Sequence, residues 1–486
     1  MTQSVLVIGG GLAGLLAASR HLEQGREVAL LEPAPEPGGA IAAREVAGVP
    51  LSIGAEAYSI ASGAVDALLA ELDLADRTVT PRTGLASRVV SAAGTHRAPS
   101  PALLGVPARP LARDARAVLG WAGALRAAAE RFLPARLGDR PGASVADLVT
   151  ARCGRRVAQR LVAPVVGGVH SADPAVLEFA TASPALLAGL REDGSLTAAV
   201  RRLRTPGTRS AGANVRSLTP TMAVLPQRLA ERITAAGGEI RTGTPVTRIG
   251  REDGSWWVAT GAGERRVADR LVLACPPDAA AALLGEAAPE VAAAIPDAPS
   301  APVRLVALVL DAPALDALPS GTGALVAPGT PGVRAKALTH ASAKWEHVAA
   351  AARAAHPHAA APHVVRLSYG RPGEELPDEE GIRELALADA GAILGTPLTA
   401  RNLLGAAVID WSRAMRQPGP GHRAALEALR DLLEQAPPGS AAASLELVGS
   451  WRSGTGIDAI VRAHQAARTA PRPTKAPRPI TEGTRP

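Results

Sequence analysis

The sequence predicts an α/β fold, α+β overall, on three observations. Residues 5–8 form a continuous apolar run, as in a strand buried on both faces. A glycine-rich turn follows and opens a helix with apolar residues at helical spacing over 12–22. A similar buried run recurs at 271–274, where the chain returns to its first domain after an insertion, and a last strand is read at 445–448.

Each part of the opening stretch has a physical task. Gly9, Gly11 and Gly14 stand in G-x-G-x-x-G spacing between strand and helix, with Gly10, Leu12 and Ala13 between them. Gly9 permits the tight turn, Gly11 lets a pyrophosphate approach the backbone, and Gly14 lets the helix lie close to the strand. The helix N-terminus offers free N–H groups and its dipole to phosphates. A second strand over 27–31 ends at Glu32, placed to hydrogen-bond a ribose diol. The domain is therefore Rossmann-like and binds a dinucleotide.

Composition narrows the rest. A chain of 486 residues supports two or three domains and a large core. Aromatics make up only 2%, and alanine fills their place. The net charge of +7 suits an acidic ligand or a membrane surface, but no basic stretch is interleaved with aromatics, so nucleic acid is not an expected partner. Cys153 and Cys275 lack C-x-x-C partners, which argues against a disulfide framework and for a reducing compartment. His356, His358 and His363 lie in an Ala/Pro-rich stretch read as a surface loop, and no metal site is expected. No apolar run is long enough to span a bilayer. The expected location is the cytoplasm, with peripheral membrane contact left open.

Further along, Gly38-Gly39 lets the chain pass close to a bound cofactor, and Gly54-Ala-Glu-Ala57 makes a turn before a helix at 63–74. Together with the first motif these pieces favour a flavin over a nicotinamide. Short strands are read over 80–100. Helices dominate 101–205, including one at 113–132 and one capped by Ser144. At 161–173 a proline and paired glycines should break the helix. A helix is read at 222–236, an alternating strand at 239–249, and hairpin-like strands at 256–270. A second sheet draws on 303–310, 323–327 and 364–369, with helices at 381–394 and 422–433. The tail, 469–486, is expected to be disordered. Near the C-terminus, Gly454-Thr-Gly456 opens another helix whose dipole can face a flavin ring and stabilise negative charge on its reduced form. A plain strand–turn–helix connection is the alternative.

These motifs, with Leu161-Val-Ala-Pro-Val-Val-Gly-Gly-Val-His-Ser-Ala-Asp-Pro174, Leu273-Ala-Cys-Pro276, Lys344-Trp345, Arg366-Leu-Ser-Tyr-Gly-Arg371 and Gly421-His422, resemble the FAD-dependent porphyrinogen oxidases of the amine-oxidase superfamily. The likeness is closest to the soluble coproporphyrinogen III oxidases of Gram-positive, actinobacterial type. It implies a discontinuous FAD-binding domain (1–78, 215–285, 400–468) of the amine-oxidase/p-hydroxybenzoate-hydroxylase type. It also implies a mixed-sheet substrate domain (79–100, 286–399) and a helical domain (101–214). It places FAD contacts on Gly9, Gly10, Gly11, Leu12, Ala13, Gly14, Glu32, Pro33, Gly39, Gly54, Ala55, Glu56, Ala57, Val246, Trp411, Gly456 and Ile457. The chain departs from the family at Ala40, where a basic residue is usual, at Ser52, where an acid is usual, and at Asp458, where proline is common. Residues 208–217 also lack the usual glycine-rich lead into the next helix.

The reaction so implied is a six-electron oxidation of coproporphyrinogen III to coproporphyrin III in haem biosynthesis, with dioxygen as acceptor and hydrogen peroxide released. It requires no dedicated general base, and no catalytic side chain is singled out. Arg44, Arg88 and Arg366 are candidates for orienting the substrate's propionates, against a solvated or structural role for each. Transient contact with ferrochelatase is a further implied partnership. The alternatives are protoporphyrinogen oxidase, another FAD oxidase of the superfamily acting on an amine or carotenoid, and a non-catalytic flavin-binding paralogue.

Overall fold

In the computed structural model, which describes residues 3–169, 172–204, 214–297, 299–416, 419 and 421–469, five strands make one parallel sheet. Their order is Glu239–Arg241, Glu27–Leu31, Ser4–Ile8, Arg270–Leu273, Leu445–Leu447. Strand periodicity splits the apolar residues between two cores. Val5, Val7, Leu30 and Val272 face the helices Leu12–Glu23, Val224–Ala235 and Ile457–Thr469. Leu6, Ile8, Leu31 and Leu273 face the antiparallel sheet Val246–Glu252, Ser255–Thr260, Arg265–Ala268, where Trp256 is fully buried. Burial on both faces explains why these strands read as unbroken apolar runs.

A second, mixed sheet has seven strands in the order Leu403–Arg416, Ser300–Asp311, Pro362–Tyr369, Ala337–His340, Gly323–Val326, Arg88–Ser91, Gly94–Arg97. Only the Gly323–Val326 and Arg88–Ser91 pair is parallel. The helix Ile382–Leu394 covers one face, and Ala341–Lys344 with Glu346–Ala355 covers the other. The third unit is helical. Arg113–Ala128 (interrupted at Gly120), Val145–Cys153 and Leu196–Leu203 enclose a separate core. Ser144 caps its helix by accepting from the Asp147 N–H.

Several expectations change. The stretch 239–249 is two strands in different sheets, because Gly243, at φ +60°, and Pro245 turn the chain between them. Within 161–169 the helix does not break at Pro164 or at Gly167-Gly168. A π-turn over Ala158–Val162 leads directly into Ala163–Val169, absorbing Pro164 at the start of the new segment. Gly168 packs against Leu325, whose Cδ2 would lie 2.6 Å from a Cβ placed there. His363 is not in a loop. It lies buried on Pro362–Tyr369, bonded through Nδ1 to His340 Nε2 (3.1 Å) and through Nε2 to Asp316 (3.2 Å). The strand Leu403–Arg416, read with the cofactor domain, pairs along Ser300–Asp311 in the seven-stranded sheet. The readings of 470–486 and of most of 208–217 lie outside the described residues.

Candidate active site

The glycines of the first motif meet different surroundings. A Cβ on Gly14 would lie 1.9 Å from the Gly9 carbonyl oxygen, and one on Gly9 would lie 2.8 Å from the Ala274 oxygen. A Cβ on Gly10 would meet Glu32 Cβ at 3.0 Å, whereas one on Gly11 would meet nothing within 4 Å. The turn is closed toward the protein and open on one side. No side chain caps the Leu12–Glu23 helix, so its first N–H groups, among them those of Leu12 and Ala13, face the open side unsatisfied. Glu32 is buried, and its carboxylate accepts from Gly10 N–H (2.5 Å) and Ala34 N–H (2.9 Å), which fixes it beside Pro33 at the end of its strand. The Thr244 N–H donates to the Glu32 carbonyl, bringing the strand that begins at Val246 next to it.

Two further turns stack on the first. Gly38 N–H donates to the Gly10 carbonyl (2.8 Å), and a Cβ on Gly39 would lie 3.2 Å from Gly11 Cα. Ala55 N–H then donates to the Ala40 carbonyl (2.8 Å). A Cβ on Gly54 would strike that same carbonyl oxygen at 2.0 Å and the Trp411 ring at 3.2 Å. Trp411 Nε1–H donates to the Ile53 carbonyl (3.0 Å). The helix Ile457–Thr469 starts beside this stack. Ile457 shares one buried cluster with Leu12 and Ile41, and Ala55 packs against it. A Cβ on Gly456 would meet nothing within 4 Å, as at Gly11. The first residues of two helices from opposite ends of the chain, Leu12 and Ile457, thus meet in one buried cluster. Ser52 and Asp458 have local partners, the Met222 N–H and the Ser62 hydroxyl.

Glu56 behaves differently from its neighbours Gly54, Ala55 and Ala57. Its carboxylate turns into the protein and accepts from Lys344 Nζ (3.0 Å), Trp345 Nε1 and Arg366 Nη1 (3.0 Å). Arg366 also donates to the Gly54 carbonyl (3.3 Å). Burial works to raise the Glu56 pKa, but the Lys344 charge, then the Arg366 charge and the hydrogen bonds, hold it down at about 2. A cavity of about 170 Å³ lies against this cluster, lined by Gly54, Glu56, Leu305, Thr339 and Arg366. Two cations share one carboxylate, so the cluster keeps one net positive charge beside the cavity. Sequence reasoning singled out Glu56 and Arg366 but not their pairing. The Lys344-Trp345 dipeptide was the available signal.

The three candidate arginines do not converge. Arg366 pairs across the sheet with Thr339, whereas Arg88 aligns with Ala324, Leu338 and Leu367, one residue out of step and hence on the opposite face. Arg88 Nε donates to the Pro319 carbonyl (3.2 Å). Arg44 is exposed and donates to the Val408 carbonyl (3.4 Å), lining a separate groove with Glu379 and Arg383. Neither cysteine is a poised nucleophile, because burial pushes both thiols up, Cys275 to about 11.

The profile of the family described as flavin containing amine oxidoreductase matches residues 12–470. The chain is 31% identical over 477 residues to "Coproporphyrinogen III oxidase" of Mycobacterium tuberculosis (strain H37Rv), covering 96% of this chain and 97% of that protein. It is 24% identical to the Bacillus subtilis (strain 168) protein of the same name, covering 95% and 96%. Among solved structures, a protein from Exiguobacterium sp. 255-15 provisionally named protoporphyrinogen oxidase superposes with a TM-score of 0.80 at 22% identity, covering 96% and 98% of the two chains.

Proposed function

Because this chain belongs to the flavin containing amine oxidoreductases and is an FAD-dependent oxidase, we propose that it oxidises coproporphyrinogen III to coproporphyrin III in haem biosynthesis. Bound FAD supplies hydride acceptance at its ring, with reoxidation by dioxygen. The residues that would hold it are the two helix openings at Gly11 and Gly456, the Gly38-Gly39 and Gly54 turns, and Glu32 at the ribose. The protein's own contribution is positioning and charge. Glu56 orients Lys344 and Arg366 toward one carboxylate and leaves one positive charge uncompensated near the cavity. That excess charge is the observation favouring this reading. It attracts a substrate bearing propionates and disfavours a protonated amine, the substrate class of the competing reading. A porphyrinogen needs no proton acceptor beyond solvent for its pyrrole protons.

The test is anaerobic mixing of the holoprotein with coproporphyrinogen, protoporphyrinogen or a primary amine. Coproporphyrinogen should bleach the flavin's visible band fastest, with matching growth of porphyrin fluorescence. Faster bleaching by protoporphyrinogen or by the amine would overturn the reading, and so would no bleaching by any of them.

A further inference from the structure

A cavity of about 460 Å³ lies in the groove between the helices Leu12–Glu23 and Ile457–Thr469. Ala13, Ala17 and Arg20 line it from the first helix, and Ile460, Ala463 and Ala467 from the second. Both sets step by three or four residues, so each helix turns one face to the groove. Leu447 and Val448, at the end of the strand Leu445–Leu447, line it as well. Of the residues expected to touch FAD, only Ala13 takes part. From there the groove runs two helical turns away from the glycine turn, to Arg20. It is a site separate from both the flavin turns and the cavity at Arg366.

The polar groups of this groove are few, and two of them lack a partner. Arg20 Nη2 donates to both oxygens of Glu446 (2.6 Å), and Arg430 pairs with Asp431 (3.0 Å) and Glu434 (3.9 Å). Arg452 differs from these two. It donates through Nη1 to the Leu447 carbonyl (2.6 Å) and pairs with no carboxylate among the described residues. Its Nε and Nη2 remain as donors. His464 also lines the groove, is only 8% exposed, and has its Nδ1 enclosed without a hydrogen-bond partner. Burial, with Arg20 and Arg468 adding to it, lowers the His464 pKa to about 4, so at neutral pH the ring is uncharged and carries one N–H. A buried polar group left unpaired is costly, which singles this ring out.

We propose that the groove binds a small carboxylic acid with an apolar body, its carboxylate held by Arg452. The two remaining guanidinium donors suit a carboxylate, and one unpaired cation matches one negative charge. The same acid group is an acceptor for the imidazole N–H. Alanines on both helices keep the walls short and leave room for the apolar body, which buries its surface against them. The volume falls within the range of about 300–1,000 Å³ typical of small-molecule sites. A cationic ligand is disfavoured, because Glu434 and Glu446 already face arginines.

The experiment is calorimetric titration of the full-length holoprotein with octanoate, with octylammonium and acetate as comparisons. Octanoate should bind once per chain, and the other two at least about tenfold more weakly, because one has the wrong charge and the other no apolar body. Arg452→Gln and, separately, Ala463→Phe should each lower octanoate affinity about tenfold, the first by removing the cation and the second by filling the groove. Ala463 is exposed, so the phenylalanine leaves the fold and the flavin content as they are, and this variant decides the matter if Arg452→Gln does not fold. Arg366→Gln, at the other cavity, should bind octanoate as the parent does. The proposal is overturned if octanoate does not bind, if octylammonium binds as tightly, or if Ala463→Phe binds as well as the parent. It is also overturned if Arg366→Gln abolishes octanoate binding, which would put the ligand in the porphyrinogen site.

Discussion

Gly14 and Glu56 are the residues through which the site is most easily tested. A Cβ on Gly14 would meet backbone at 1.9 Å, which no rotamer change relieves. Gly14→Ala should therefore yield protein depleted of flavin, measured as the ratio of visible to ultraviolet absorbance, and full retention would contradict the turn's role. Glu56 is the single carboxylate between Lys344 and Arg366. Glu56→Gln leaves two like charges in a buried site and should cost about 3 kcal/mol of stability in denaturant unfolding. An unchanged midpoint would show that the cluster is solvated. The two positions also differ in legibility. Gly14 could be read because its constraint is local, acting within one turn of backbone. The Glu56 cluster could not, because its partners lie 288 and 310 residues away and only the fold brings them together.

Among the elements, the helical unit is tied by one buried ion pair. Arg152 is fully buried; it donates to Glu130 (2.7 Å) and to the carbonyls of Pro134, Ala135, Leu137 and Gly194. Glu130 in turn accepts from the Ser195 hydroxyl and the Leu196 N–H at the start of the helix Leu196–Leu203. Arg152→Met strands the carboxylate and frees four carbonyls, so it should destabilise the protein by about 3–5 kcal/mol. Limited proteolysis should then cut first within 113–204, and cleavage elsewhere first would refute a local role. Strands buried on both faces and the capped helix at Ser144 were legible because periodicity and capping are local signals. The two strands within 239–249 and the unbroken helix around Pro164 were not. In each case one proline or glycine has more than one backbone solution, and neighbouring elements choose between them. Composition around His363 predicts a loop, because the stretch is rich in alanine and proline. Its burial comes from cross-strand pairing with Leu310 and the bond to His340.

At the scale of the molecule, several histidines are held neutral inside the fold. Burial lowers His340 from 6.5 to about 3, with His363 and Arg82 adding to the effect, and lowers His464 to about 4, with Arg20 and Arg468 adding. Both folded values lie below the unfolded one, so stability is whole above pH 6.5 and falls as the pH drops toward 3–4, where the unfolded chain binds protons the native state refuses. The two together cost about 3 kcal/mol at about pH 5.5, so the melting temperature should drop by about 3 °C between about pH 7.5 and 5.5. A flat or rising profile would mean that these rings are accessible to protons in the native state. The largest feature legible in the sequence was also molecular in scale: glycine-opened helices near both ends of the chain meet at one place, because parallel strands from 4–8, 270–273 and 445–447 are neighbours in one sheet. The central claim is that these two openings hold one FAD. Its most direct test is the FAD-to-chain ratio of the purified protein, of Gly11→Val and of Gly456→Val, with circular dichroism to verify the fold. The account predicts one FAD per chain in the parent and little or none in either variant at native ellipticity. A folded Gly11→Val or Gly456→Val that retains its full FAD would contradict it.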